Sequence, residues 1–246
     1  MKRLSSLLAL MVFLSSAGIY SSSAHTLITI TKTKKSDDEN RQVSGFKGVS
    51  SSGSFDVKIT MGDKESLKLE GDKDVISEIE TVVESGILKI RSKKKNGLKW
   101  QSGRQKVTVY VTATSLNSLT LSGSGDLTVE GSIKADKLIN TLSGSGSIRV
   151  ASADANEYIG TISGSGEITV KGKADRASIQ IGGSGDFDGR NLKTSDAKIA
   201  VSGSGNVSIS AEKTLNAVVS GSGNIRYSGN AKVSQTKSGS GEISRL

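Results

Sequence analysis

Histidine and cysteine, which often serve as catalytic bases and nucleophiles, are scarce in this sequence. The chain of 246 residues contains no cysteine and a single histidine, His25. A Ser–His or Cys–His pair needs an imidazole beside its nucleophile, and His25 is the one residue that offers it. We therefore predict no catalytic residue, no cofactor and no metal ligand, and we classify the protein as a non-enzyme.

Acidic side chains recur at one position, immediately after each Gly-Ser-Gly triplet. The residues at this position are Asp126, Ser147, Glu167, Asp186, Asn206, Asn224 and Glu242. A column of carboxylates would supply the oxygen ligands that Ca²⁺ prefers. Because serine and asparagine interrupt the series, a row of solvated polar turns is the simpler interpretation.

A second acidic group suggests an alternative function. Some parallel β-helices are polysaccharide lyases, which combine acidic metal ligands with a lysine or arginine base. Asp186, Asp188 and Arg190 offer such a combination, although the same three residue types are common in turns. A carbohydrate-active enzyme resembling a polysaccharide lyase is therefore the alternative to a non-enzymatic protein.

Basic residues surround the single tryptophan of the chain. This candidate ligand-binding site comprises Lys93, Lys94, Lys95, Lys99, Trp100 and Arg104. An indole ring can stack on a sugar, and a rim of cations favours an acidic glycan or a phosphate. We predict an anionic glycan or envelope surface as partner, and no nucleic acid. The alternative is a basic loop whose tryptophan covers one side of the fold.

The first 24 residues have the composition of a secretory signal peptide. Lys2 and Arg3 precede a mostly apolar segment, and small residues at Ser21–Ala24 predict cleavage after Ala24. No later apolar run is long enough to span a bilayer as a helix. We therefore expect an exported protein without a transmembrane segment after cleavage, located in the periplasm, on the outer-membrane surface or outside the cell.

A repeat of about twenty residues organises the rest of the chain. The Gly-Ser-Gly triplets begin at Gly123, Gly144, Gly164, Gly183, Gly203, Gly221 and Gly239, so that successive steps measure 18 to 21 residues. This period is too short for helix pairs or propeller blades, and it suits one coil of a parallel β-solenoid. Proline, which would remove a ladder donor, is absent.

Alternation within each repeat predicts strands. In one coil Leu142, Gly144, Gly146, Ile148 and Val150 share one parity, and the serines take the other. Because successive residues of a strand point to opposite sides, we expect the aliphatic residues and the glycines to point inward and the serines to face water. Each coil is expected to contain two or three short strands, with glycine where a Cβ would clash in a narrow interior.

The earlier part of the chain is less regular. Residues 49–59, 66–71, 86–92 and 106–113 alternate as strands. Residues 72–85 allow either a short helix, with Val75, Ile79 and Val82 on one face, or a strand and a turn. We divide the chain into a signal peptide (1–24), an N-terminal lead-in (25–43) and one all-β domain (44–246).

The order of these segments resembles a known family. An opening strand in GFKGVSSSGSFDVKI is followed by the turn EGDKDVI, the strand GILKI and serial SGSG coils. This order, over residues 44–246, is similar to the family described as "putative autotransporter adhesin, head GIN domain". The resemblance implies a single-domain right-handed parallel β-helix, an envelope location and an adhesive or structural role. It implies no particular binding residue.

Overall fold

The described part of the chain folds as a β-solenoid. The computed structural model describes residues 37–93 and 107–246, which lie in one compact unit, Ser36–Leu246. Strands make up 76% of these residues and helix 3%, and the solenoid has about six turns. The expected all-β, single-domain parallel β-helix is confirmed. Among the described residues, no helix has the length and apolar character needed to cross a membrane.

Nine elements form the N-terminal part of the solenoid. They are β1 (Asp37–Arg41), β2 (Gly48–Gly53), β3 (Asp56–Met61), β4 (Ser66–Gly71), α1 (Lys73–Ser77), β5 (Ile79–Glu84), β6 (Ile87–Ser92), β7 (Thr108–Ala113) and β8 (Ser118–Gly123). The strand β1 lies within the segment that we expected to be a lead-in. It pairs with β4 in antiparallel orientation.

Eight further strands form the regular coils. They are β9 (Asp126–Gly144), β10 (Ser147–Gly164), β11 (Glu167–Gly183), β12 (Asp186–Gly203), β13 (Asn206–Gly221), β14 (Asn224–Ser228), β15 (Lys232–Ser238) and β16 (Ile243–Arg245). Neighbouring coils pair in parallel from β9 to β13. The strands β9–β13 are continuous over 16 to 19 residues, and therefore longer than the short strands expected.

These long strands turn corners because their ladders contain irregularities. In the pairing of β10 with β11, for example, the register shifts between Val150 and Ala153. Such a shift leaves a residue unpaired and bends the strand without ending it. Each long strand thus has a first segment, which follows a triplet, and a last segment, which leads into the next triplet.

The N-terminal coils are stacked in an order that differs from the order in the sequence. The coil formed by β2 and β3 lies between the coil of β6 and β7 and the coil that begins with β8. The strand β2 pairs in parallel with both β6 and β8, and β3 pairs in parallel with both β7 and β9. The second coil of the stack is therefore the first one in the chain.

Antiparallel strands close this end of the solenoid. The strand β4 pairs with β7, and β5 pairs with β6. Both alternatives for residues 72–85 describe part of the segment, since α1 is followed directly by β5. The Asp72 carboxylate caps α1 by accepting the Asp74 N–H at 2.9 Å. After one turn, the β-branched run Thr81-Val82-Val83 favours a strand.

Alternate aliphatic side chains of every coil fill the interior. The largest fully buried side chain is Tyr158, whose ring lies 5.8 Å from that of Phe187 in centroid distance. Its hydroxyl accepts a hydrogen bond from Asn140 Nδ2 at 3.1 Å. Burial raises the pKa of Tyr158 far above its ordinary value, so this hydroxyl stays protonated.

The two glycines of each triplet have different environments. The second glycine is buried, and a Cβ on Gly166 would meet the carbonyl oxygen of Gly146 and would lie 2.6 Å from Leu142 Cδ2 of the preceding coil. The first is half-buried with φ near +130°; a Cβ on Gly183 would lie 2.6 Å from the carbonyl oxygen of Gly164. The inward assignment thus holds for the second glycine only. Both glycines are needed because the backbones of adjacent coils touch along the solenoid axis.

Candidate functional site

Two outward faces of the solenoid meet at the row of Gly-Ser-Gly triplets, which we call the serine–glycine corner. One face is formed by β2, β8, the last segments of β9–β13, and β15; we call it the neutral face. The other is formed by β3, the first segments of β9–β13, β14 and β16; we call it the charged face. Parallel pairing keeps equivalent residues of successive coils in register on both faces.

We restrict the neutral face to the three outward columns nearest the corner, of eight residues each. A fourth outward column on the same segments is charged and lies beyond it; it contains Lys137, Glu157, Arg176, Asp196, Thr214 and Lys232. The column at the corner contains Ser52, Ser122, Ser143, Ser163, Gly182, Ser202, Ser220 and Ser238. The middle column contains Ser50, Thr120, Thr141, Thr161, Gln180, Ala200, Val218 and Thr236. The far column contains Gly48, Ser118, Ile139, Ile159, Ser178, Lys198, Asn216 and Ser234.

The neutral face is almost free of charge. Lys198 is the one charged residue among these positions, all of which the structure describes. Charged residues make up 23% of the whole chain, so their depletion here contrasts with the rest of the protein. The face therefore offers hydroxyl and methyl groups in place of ionic groups.

The hydroxyls of the neutral face are also free to bind a ligand. Within residues 37–93 and 107–246, none of its serine or threonine side chains hydrogen-bonds to another protein group. At the corner the backbone is already paired: the Ser165 N–H, for example, donates to the Gly144 carbonyl at 3.0 Å. The backbone thus fixes the corner while the side-chain hydroxyls face solvent.

The charged face uses its polar side chains within the protein. Asn206 Nδ2 donates to Asp186 Oδ1 at 2.9 Å, and Asn224 Nδ2 donates to Asn206 Oδ1 at 2.9 Å. Further along the same column, Arg149 donates to Ser147 Oγ at 2.6 Å. The residues that follow the triplets therefore form a hydrogen-bonded ladder between coils. None of the described acidic residues belongs to a group that could hold a metal ion.

The three residues that suggested a lyase-like enzyme, Asp186, Asp188 and Arg190, also form hydrogen bonds within the protein. Arg190 donates from Nε to Asp188 Oδ1 at 2.9 Å and from an Nη to Asp188 Oδ2 at 2.6 Å. This pairing lowers the pKa of Asp188 below its ordinary value, because the guanidinium stabilises the charged carboxylate. Asp186 accepts the backbone N–H of Asn206 at 3.0 Å. All three residues are thus engaged in local hydrogen bonds.

Ion pairs mark the N-terminal end of the neutral face. Arg91 pairs with Glu80 at 2.8 Å, and Lys89 pairs with Glu84 at 2.6 Å. Each pair lowers the pKa of its glutamate below the ordinary value, since hydrogen bonding and charge both favour the carboxylate. A groove of about 690 Å³ runs beside them, lined by Ser52, Gly53, Glu80, Arg91, Ser92 and Ser122.

The predicted basic site is described in part. Lys93 is exposed, and its ammonium donates to the carbonyl oxygen of Ser77 at 2.7 Å. Its backbone N–H donates to the Glu78 carbonyl at 2.7 Å, so the residue fastens the end of β6 to α1. The other predicted members of this site lie outside the described residues; they are Lys94, Lys95, Lys99, Trp100 and Arg104.

Comparison with known proteins identifies the family. The model of the family "Putative auto-transporter adhesin, head GIN domain" matches residues 45–231. The chain belongs to this family. The resemblance seen in the sequence is therefore confirmed. A search of curated proteins found no match.

Solved structures share the head GIN fold. A "putative adhesin" from Bacteroides fragilis has a TM-score of 0.80 at 22% identity, with 87% of this chain and 98% of that chain covered. A "putative lipid binding protein" from Parabacteroides distasonis has a TM-score of 0.72 at 25% identity and the same coverage. A "putative adhesin" from Parabacteroides merdae has a TM-score of 0.69 at 19% identity, with 87% and 97% covered.

Sequence reasoning identified the outward serines and missed the neutral face. The missing signal is visible once the coils are aligned on their triplets. The segments TLSGSG and TISGSG place threonine two residues before the corner serine, and charged residues are rare in the preceding positions. The charges lie instead in the segments that follow the triplets, for example Asp186, Asp188 and Arg190, and in stretches such as KGKADR at 171–176.

Proposed function

We propose that the protein is an exported, non-enzymatic binding module of the cell envelope, and that the neutral face is its adhesive surface. The observation that carries the proposal is the depletion of charge on a face whose hydroxyls have no hydrogen-bond partners among the described residues. A solvated structural surface has no need to exclude charge, whereas the core of a binding surface is typically depleted of it.

Membership of an adhesin family supports this function. The relatives named as adhesins share the fold, and one relative is named as lipid binding. The described polar groups also favour binding over catalysis, because the acids with the strongest resemblance to a lyase site are held by Arg190 and Asn206.

The adhesive surface is tested by introducing charge on one face at a time. The variant Thr120→Lys/Thr161→Lys places two lysines on the neutral face, two coils apart. Its matched control is Thr169→Lys/Ser208→Lys, which places two lysines on the charged face with the same separation. All four residues are half-buried, outward positions of strands.

Binding is measured by sedimentation of the mature protein with isolated envelopes of the producing bacterium. We expect the neutral-face variant to lose at least about tenfold in affinity, since an unpaired ammonium would be desolvated at the contact. We expect the control variant to bind like the parent. Equal binding by the parent and both variants would show that the neutral face is not the adhesive surface.

Export is tested separately. When the gene is expressed with its own N-terminus, we expect the mature protein to begin at His25 and to fractionate with the envelope or the medium. N-terminal sequencing gives the start. A product that retains Met1 in the cytoplasm would contradict export.

The basic segment provides a second binding candidate, for an anionic glycan or envelope surface. It rests on the clustering of Lys93, Lys94, Lys95, Lys99 and Arg104 around Trp100. Binding to alginate through this segment should weaken as salt rises, because screening shortens the range of exposed charges. Replacing Lys93, Lys94 and Lys95 with serine should remove most of that salt dependence. Unchanged binding to alginate would eliminate the segment as a site.

A further inference from the structure

We infer that the ligand of the neutral face is a linear neutral polysaccharide that lies along the solenoid axis. The inference rests on the proposed function and names the partner class of the same face. Three properties of the face support it: its charge, the regular arrangement of its hydroxyls, and its shape.

The charge of the face selects against ionic partners. Lys198 is the one charged residue of its three columns, and it lies in the far column, beside the charged fourth column. The nearest further charge is Lys237, which is exposed on β15 between two of the columns. Along the columns of β8 to β12 an anionic polymer or a phosphate would therefore meet Lys198 as the one cation, and a cationic partner would meet no carboxylate. A partner that gains little from ion pairs and much from hydrogen bonds is therefore favoured.

The hydroxyls form a lattice with a fixed repeat. Successive coils place Thr120, Thr141 and Thr161 one above another, and the corner serines run beside them. The spacing along each column is the distance between paired strands, about 4.8 Å. A periodic row of donors and acceptors suits a ligand that repeats its own hydroxyls along a chain.

Apolar groups lie beside this lattice. The side chains of Ile139 and Ile159 are half-buried neighbours in the far column, next to the threonine column. Threonine also presents a methyl group beside its hydroxyl. A sugar ring has hydroxyls around its edge and C–H groups on its faces, so it can contact both parts of such a surface at once. The neutral face thus combines the two kinds of contact that a neutral sugar polymer uses.

The shape of the face favours a chain over a globular partner. Eight stacked strands span about 34 Å along the axis, while the three columns span about 13 Å across it. The resulting area of about 450 Å² is smaller than the roughly 800 Å² per partner of a standard protein interface. A second copy of this chain would therefore cover too little surface for a stable dimer, whereas a long narrow polymer matches the strip.

The inference is tested by sedimentation of the mature protein with cellulose, chitin, starch and mannan, and with cross-linked alginate as the anionic probe. We expect binding to at least one neutral polymer, with the same affinity at about 0.1 M and about 1 M salt, because no charge pairs form on this face. Thr120→Lys/Thr161→Lys should weaken this binding about tenfold or more, and Thr169→Lys/Ser208→Lys should not.

A milder variant separates hydroxyl recognition from simple access to the face. Thr120→Val/Thr161→Val keeps the shape and the neutrality of the surface and removes two hydroxyls. We expect it to weaken binding to the neutral polymer by several-fold, since two hydrogen bonds to the ligand are lost. Circular dichroism and the melting temperature establish that each variant is folded.

The outcomes distinguish the inference from the proposed function. Binding to none of the neutral polymers, or equal losses in the neutral-face and control variants, would overturn the polysaccharide inference. If the neutral-face variant still loses binding to isolated envelopes, the proposed function stands with a different ligand. If only alginate binds, and salt abolishes that binding, the inference fails.

Discussion

The charged face and the neutral face are built on the same coils and meet at the same corner, yet their outward side chains differ in their hydrogen bonding. On the charged face, Asn206 bridges Asp186 and Asn224 through hydrogen bonds. On the neutral face, Thr161 stands between Thr141 and Gln180 with no side-chain hydrogen bond among the described residues. Side chains that bond to each other contribute to the fold, whereas side chains without partners are free for a ligand.

The largest loss of stability is expected from a substitution at the serine–glycine corner, which both faces share. Gly164→Val should lower the free energy of unfolding by about 3 kcal/mol or more, since its φ of +129° disfavours an L side chain and the new Cβ would meet the backbone of Gly144. Ser165→Val, which changes the adjacent exposed residue, should cost less than about 1 kcal/mol. Urea denaturation measures both. Comparable losses would contradict the corner geometry.

A smaller effect is expected from the ladder on the charged face. Asn206→Asp removes the donor to Asp186 and places two carboxylates in register, which should cost about 1 kcal/mol at neutral pH. The loss should shrink in acid, because protonation of either carboxyl relieves the repulsion and restores a donor.

The matched change on the neutral face is Thr161→Val, which also preserves side-chain shape. We expect the free energy of unfolding to change by no more than about 0.5 kcal/mol, because the hydroxyl makes no bond within the described chain. A loss of stability as large as that of Asn206→Asp would contradict the difference between the two faces, since it would mean that side chains of both faces stabilise the stacking of the coils.

The smallest effect is expected from the ion pairs at the end of the neutral face. The pKa values of Glu80 and Glu84 are lowered from 4.5 by Arg91 and Lys89. A lowered carboxyl pKa gives stability that is present above the unfolded-state value and is lost as the pH falls through the folded-state value. Because these pairs are exposed, the expected change in melting temperature is small.

Between neutral pH and about pH 3, the melting temperature of the variant Glu80→Gln/Glu84→Gln should therefore fall less than that of the parent. Glu130→Gln is the control, since Glu130 has no ion pair within residues 37–93 and 107–246. Parallel acid profiles for the parent and the double variant would indicate that these pairs contribute nothing measurable.

The regular coils could be predicted because one local rule repeats in them. The triplets that begin at Gly144 and Gly164 give the period, and the alternation around them gives the inward residues. The length of the strands could not be read in this way, because bends such as the one after Val150 depend on a mismatch between neighbouring coils. The contact between neighbouring coils at the first glycine of each triplet could not be predicted either, because it exists only after the coils have stacked.

The stacking order of the N-terminal coils could not be predicted from the sequence, for a different reason. Each strand there is recognisable from its own alternation, but its partner is chosen by long-range packing. Nothing local in β2 shows that it pairs with β6 on one side and β8 on the other. The same holds for the candidate site: the outward serines are visible one coil at a time, whereas the depletion of charge becomes apparent only when all coils are superposed.

The interleaved order of the first coils has a consequence for how the chain acquires its structure. Ser52 is aligned with Arg91 on one side and with Ser122 on the other, 70 positions later in the chain. At a synthesis rate of about 5–20 residues per second, the second partner emerges roughly 4–14 s after the first strand. The edge of β2 that pairs with β8 stays unpaired in the meantime, and closing such a long loop is slow. We therefore expect the N-terminal coils to form late in folding, after the short-range stacking of the later coils.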